Sequence, residues 1–258
     1  MADLREQMRM QTAGTATRAD IDQGLRSYML GIYNYMASAL AVTGIAALAT
    51  ANLASTTDRA NAVGQVGNTM LTQFGAMVYT SPLKWVIMLA PLAFILVLSF
   101  GLQKLSKPAM TGLFYAFATL MGVSMSYIFM IYTPGSIVQT FFVTAAAFGG
   151  LSLYGYTTKR SLSGMGTFLM MGLIGLIIAM VVNLFLASSA LQFAISAIGV
   201  LIFAGLTAWD TQRLKHEYDV VAGHAEMMAK SSIMGALSLY LNFVNMFQFL
   251  LSFMGNQE

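Results

Sequence analysis

The sequence has no cysteine among its 258 residues, and only two histidines and four prolines. Without a thiol there is no disulfide, no thiolate metal site and no cysteine nucleophile, and redox usage says nothing about compartment. Charge is scarce as well. Asp, Glu, Lys and Arg make up 9% of the chain, against about 25% in a soluble domain. Such a chain cannot clothe a water-facing globule. Neither histidine lies within an apolar run, which removes a membrane-embedded Ser–His pair. No Walker A loop, HExxH or EF-hand loop occurs. The last apolar run holds no lysine for a retinal Schiff base. Hydrolase and photoreceptor functions therefore lack their chemistry, and neither an enzymatic activity nor a cofactor is expected.

What is present is apolar: 57% of the residues are hydrophobic. They gather in seven runs at 28–52, 83–103, 108–132, 137–157, 166–187, 191–209 and 233–254. Each has about the 20 residues that a helix needs to cross a bilayer. The expected fold is an all-α integral membrane protein with seven transmembrane helices. Residues 28–255 form a single membrane domain after a polar, mobile tail at 1–27. No apolar core lies early enough for a cleavable signal peptide. Thr133-Pro134-Gly135 is a turn between the third and fourth runs. The fifth and sixth are split by a tight hairpin at Ala187-Ser188-Ser189-Ala190. The loop at 53–82 is expected to be flexible or interfacial. Pro91 should kink the second helix. Small residues at Ala39, Thr43, Ala47 and Ala51, and glycines 149, 150, 172 and 175, would let helices approach closely.

Basic residues set the orientation. Eleven Lys and Arg fall on the side of the tail, Lys104, Lys107, Lys159, Arg160, Arg213, Lys215 and Lys230; only Arg59 and Lys84 fall on the other. The positive-inside rule then puts the N terminus in the cytoplasm and the C terminus outside. The net charge of +3 is spread over short loops, so the partner is a lipid bilayer and not a nucleic acid.

A few polar residues sit where they are costly. Asp210 is expected to end the sixth helix at its cytoplasmic side, where an acid opposes the helix dipole. Arg213 and Lys215 are near enough to neutralise it, and Lys104, at the inner end of the second helix, could pair with it. In the seventh helix, Ser238, Asn242, Asn245, Gln248 and Ser252 share about a third of the circumference at 3.6 residues per turn. That stripe reads either as a polar pathway or ion site, or as interhelical hydrogen bonding for packing. His216 and His224 are placed in the loop between these helices, solvated.

Two segments carry a resemblance. Ala208-Trp209-Asp210-Thr211-Gln212 resembles the (A/Y)-(Y/W)-D-T-Q segment of the Bax inhibitor family, also called the transmembrane Bax inhibitor motif family. The stretch ALSLYLNFVNMF at 236–247 resembles that family's ALxLYLDFINLF. The opening Arg26-Ser27-Tyr28-Met29, with Tyr33-Asn34-Tyr35-Met36, is similar to the start of bacterial members. The resemblance implies seven helices with the last one surrounded by the others. It also implies a pH-sensitive calcium leak, latched by two aspartates that share a proton at the cytoplasmic mouth. Asp210 matches the first aspartate, but Asn242 stands where the second would be. This implies a bacterial inner-membrane channel, with Asp210 as latch and calcium contact and Asn242 as its partner. Asn245 and Gln248 would line the pathway. Calcium is then the permeant ion and not a cofactor. The alternative is a non-conducting modulator of a partner such as a membrane protease, as some bacterial relatives are thought to be.

Overall fold

Side-chain caps mark where several of the helices begin. The computed structural model describes residues 18–67, 69–101 and 104–256. Its helices are α1 (Arg18–Ala54), α2 (Gln73–Tyr79), α3 (Leu83–Gly101), α4 (Lys107–Met125) and α5 (Ile128–Ile131), then α6 (Pro134–Thr157), α7 (Ser163–Leu186), α8 (Ser189–Val221) and α9 (Ala225–Met254). Ser106, Thr133 and Ser188 accept backbone N–H bonds at the starts of α4, α6 and α8, which satisfies donors a helix end otherwise leaves open. Among the described residues, seven helices are long and apolar enough to cross a membrane. The Ala187–Ser188 hairpin closes with Ala187 in the left-handed region at φ 48°. Of the expected tail at 1–27, residues 1–17 lie outside the described residues, and α1 already begins at Arg18.

α9 is the axis of the bundle and packs against α8, α1, α6 and α4. Ile233, Ala236, Leu239 and Tyr240 are fully buried. The Tyr240 ring meets Phe114 and Phe117 edge-on at centroid distances of 6.3 and 5.4 Å. Its hydroxyl is hydrogen-bonded to Thr43 at 2.7 Å. By contrast, α3 and α7 present Trp85, Leu92, Phe100, Phe168, Leu184 and Phe185 outward. An apolar surface this continuous is stable only against lipid.

The small-residue stripe of α1 is buried throughout and receives α4. A Cβ on Gly122 would lie 2.4 Å from the Thr43 carbonyl oxygen. Glycines 149, 150 and 175 do not serve this way: a Cβ on any of them meets nothing within 4 Å. Gly155 does, since a Cβ there would lie 2.2 Å from the Ala208 carbonyl oxygen, so α6 and α8 touch backbone to backbone.

The 53–82 loop is not a loose connection. Strands β1 (Ser55–Thr56), β2 (Gly64–Val66) and β3 (Thr69–Leu71) form an antiparallel sheet in the order β1-β3-β2. Ser55 pairs with Leu71, and Gln65 with Met70. Leu71 seats the sheet on Ala51, Ala54 and Met130, and Tyr79 ties α2 to α4 through a 2.6 Å hydrogen bond with Ser126. The apolar contact and the backbone ladder hold these short strands, which lack length for a visible alternation.

Candidate functional site

Asp210 lies inside α8, not at its end: the helix runs on to Val221, about three further turns. The apolar run stops at Asp210, but the helix does not. At 1.5 Å per residue, 33 residues reach about 50 Å, well beyond the roughly 30 Å of a hydrocarbon core. The helix-dipole argument therefore does not apply to Asp210. His216 is a helical residue and His224 precedes α9, with only residues 222–224 between the two helices.

The carboxylate is 5% exposed as a residue and both its oxygens are taken. Oδ1 accepts from Arg213 Nε at 2.9 Å and Nη2 at 2.7 Å. Oδ2 accepts from Asn242 Nδ2 at 2.7 Å. Arg213 sits one turn after Asp210 on the same helix, and its ring neighbour is Trp209, 5.5 Å away. It also donates to Ser238 at 3.2 Å and lies 3.5 Å from Glu217. Glu217 accepts from Ser231, which is in turn bonded to Tyr28, both at 2.6 Å. A polar chain thus runs from α1 through α9 and α8 to Asn242. Lys104 is exposed, and among the described residues the ion pair of Asp210 is with Arg213. Lys215 turns away and donates to the Tyr156 carbonyl at 2.9 Å, where it complements the C-terminal end of α6.

The neighbours of Asp210 in sequence each fix a different helix. Thr211 is hydrogen-bonded to Ser152 of α6 at 2.9 Å, and Ser152 to Tyr33 of α1 at 2.5 Å. Gln212 donates to the Arg160 carbonyl at 2.9 Å and accepts from the Leu162 N–H at 2.8 Å, which clamps the α6–α7 connection. The segment therefore positions the carboxylate by bonding its surroundings on two sides.

The site opens into a cavity of about 1130 Å³ between α2, α3, α4, α7, α8 and α9. Its polar lining includes Asp210, Arg213, Ser238, Asn242, Asn245 and Gln248 at one side and Tyr79, Lys84, Ser124 and Tyr127 elsewhere. Its rim is apolar and exposed: Trp85, Met88 and Leu92 from α3 face Met170 and Ile177 from α7. Asn245 donates to its own helix at the Leu241 carbonyl, 2.8 Å away, and lines the cavity. Ser252 does not join this group; it bonds Ser196 at 3.0 Å and Gln192 at 3.4 Å further along α8. Among the described residues, no three His, Cys, Asp or Glu side chains gather to hold a metal ion.

Glu217 and Ser231 were not singled out by the sequence, and Tyr28 was noted only for the resemblance of its segment. Glu217 had a signal, since it follows Arg213 at i+4, a spacing that pairs charges on a helix face. That spacing has meaning only once α8 is known to continue.

Comparison with known proteins gives the family. Residues 25–258 match the family described as Bax1-I, inhibitor of apoptosis-promoting Bax1. A protein of Caulobacter vibrioides is 47% identical over 94% of both chains. Protein RP147 of Rickettsia prowazekii is 46% identical over 95% of both. The inner membrane protein YbhL of Escherichia coli is 42% identical over 91% of this chain and 94% of its own. The Asp210 segment, the ALSLYLNFVNMF helix and the buried seventh span fall within the matched residues: this chain is a membrane protein of the Bax inhibitor family.

Proposed function

We propose that the chain is a calcium-permeable cation leak in the bacterial inner membrane, latched by the contact between Asp210 and Asn242. One observation carries the reading: the buried acid of the bundle and the amides of α9 line the same cavity. Asp210 supplies the negative charge that draws a cation in, and Asn245 and Gln248 supply neutral oxygens along the way. Arg213 balances the charge at rest. The N terminus is cytoplasmic and the C terminus external, so the latch faces the cytoplasm. Lys104 acts there as a topology anchor. Opening requires α9 to move against α3 and α8, which separates Asn242 from Asp210.

With asparagine at 242 no proton is shared between two acids. Any remaining pH response must come from Asp210 alone or from elsewhere. The test is calcium flux into proteoliposomes between about pH 5 and pH 8, the range in which such sensors act, wild type beside Asn242→Asp. Flux above empty liposomes, reduced by Asp210→Asn, is expected. No flux at any pH for either protein would sink the channel reading. The chain would then be a non-conducting modulator of a membrane partner such as a protease, and deleting residues 1–20 would remove that effect.

A further inference from the structure

The walls of the cavity are unlike. Along α9 it meets Ser238, Asn242, Asn245 and Gln248; along α3 and α7 the lining is apolar, with Lys84 the exception. The cavity opens on the side of the bundle. Among the described residues α3 packs on α2 and α4, and α7 on α8, so the gap between α3 and α7 has no helix-to-helix seam. Trp85, Met88, Leu92, Met170 and Ile177 line the cavity there, are exposed, and lie inside two of the apolar spans. At that depth hydrocarbon, not water, meets the opening.

One end of the opening carries a charge. Lys84 stands in the first turn of α3, exposed, with its Nζ 5.3 Å from the centre of the Trp85 ring. A lysine beside a tryptophan at the end of a span sits at the level of the lipid head groups. Three charged side chains line the cavity. Asp210 and Arg213 pair with each other, and among the described residues Lys84 enters no ion pair. Tyr79 at the end of α2 and Tyr127 just past α4 add hydroxyl groups to the lining. A groove that opens to hydrocarbon and ends in a cation and hydroxyls is complementary to an anionic amphiphile. We propose that the cavity is a lipid site: an anionic phospholipid sets its phosphate at Lys84, and one acyl chain passes between α3 and α7 onto Leu176 and Phe203. Both residues line the cavity and are buried, at 5% and 6% exposure. Leu176 stands midway along α7. An acyl chain spans half of the hydrocarbon core, about 15 Å, so its end reaches that depth. The chain lies on the apolar wall, opposite the amides of α9, and the site stands whether or not cations pass.

The probe is phosphatidylglycerol with a photoactivatable diazirine near the end of one chain, in proteoliposomes of phosphatidylcholine. Phosphatidylcholine with the same chain is the comparison. After illumination, the labelled residues are mapped by mass spectrometry of peptides. Label is expected on Leu176 or Phe203, as well as on Leu184 and Phe185, which face outward. At the buried pair phosphatidylglycerol should exceed phosphatidylcholine by about fivefold, the advantage that one lysine gives an anionic lipid. At Leu184 and Phe185 the two lipids should label alike. Lys84→Gln should remove the preference at the buried pair, and Lys84→Arg should keep it. Label confined to the outward face would overturn the site, as would equal labelling of the buried pair by the two lipids. The chain has no natural cysteine, so Leu92→Cys adds a single thiol. A disulfide-linked dimer of that variant in native membranes would place a second copy over the opening and also overturn the lipid. Labelling needs no ion flux, so a negative calcium measurement would sink the cation reading and leave the lipid site standing.

Discussion

Asn242 of α9 donates its side-chain amide to the Oδ2 of Asp210 on α8 across 2.7 Å. An amide in this place can do what a second carboxylate cannot: it bonds the acid without a proton and without repulsion. Asn242→Leu would leave a buried carboxylate oxygen unpaired, at a cost of about 1–3 kcal/mol. A drop in melting temperature in detergent measures it. An unchanged melting temperature would mean that water replaces the amide.

Asn242→Asp should do something different. Two carboxylates at hydrogen-bond distance share a proton and repel once it leaves. The leak of this variant is expected to rise between about pH 5 and pH 8, the window of physiological switches, while that of the wild type stays flat. Parallel profiles for the two proteins would refute the idea.

Arg213 tests the charge balance. Its side chain is 39% exposed but that of Asp210 only 7%, and it supplies both hydrogen bonds to Oδ1. Arg213→Gln should therefore lower stability, read as melting temperature, by an amount comparable to Asn242→Leu, about 1–3 kcal/mol. It should nonetheless pass calcium several-fold faster, because Asp210 then faces the cavity uncompensated. Equal flux would remove Arg213 from the latch.

Packing gives a paired prediction on α6. Gly155→Val forces a side chain into the Ala208 backbone and should cost about 1–3 kcal/mol or more by overpacking. Gly149→Ala meets nothing within 4 Å and should be neutral or gain up to about 1 kcal/mol of helix propensity. Melting temperatures of the two variants would decide it, and a Gly155→Val protein as stable as wild type would contradict the close approach.

The sheet and α2 carry an alkaline signature. Burial raises the Tyr79 hydroxyl above its ordinary value, against a smaller lowering by its bond to Ser126. Above about pH 10, the ordinary tyrosine value, the unfolded chain loses this proton before the folded one. The stabilisation is therefore complete below that pH and is lost as pH rises through the folded value. The stability of residues 55–79 against denaturant should fall there, and Tyr79→Phe should abolish its own part of that fall.

The seven spans were legible because lipid demands long uninterrupted apolar runs, and Asp210 and Asn242 stood out against that background. The end of α8 was not legible. The apolar run stops at Asp210, whereas the helix continues through a largely polar stretch from Thr211 to Val221. The partner of Asp210 was open among Arg213, Lys215 and Lys104, since only three-dimensional placement sends Lys215 to the Tyr156 carbonyl. Gly155 went unnoticed beside the more conspicuous Gly149-Gly150 because sequence does not give the rotation of α6. The sheet at 55–71 has strands of two and three residues, too short for a period of two to emerge.

The helix at the centre of the bundle is also the one that leaves the ribosome after the other six. Until α9 arrives, the nascent chain must hold Asp210 without Asn242, Thr43 without Tyr240, and Tyr28 without Ser231. The six earlier spans therefore assemble around a slot with open polar groups, and the last span to be made closes it. A chain interrupted before α9 lacks its core, not just its end, and is thereby exposed to the membrane's quality control.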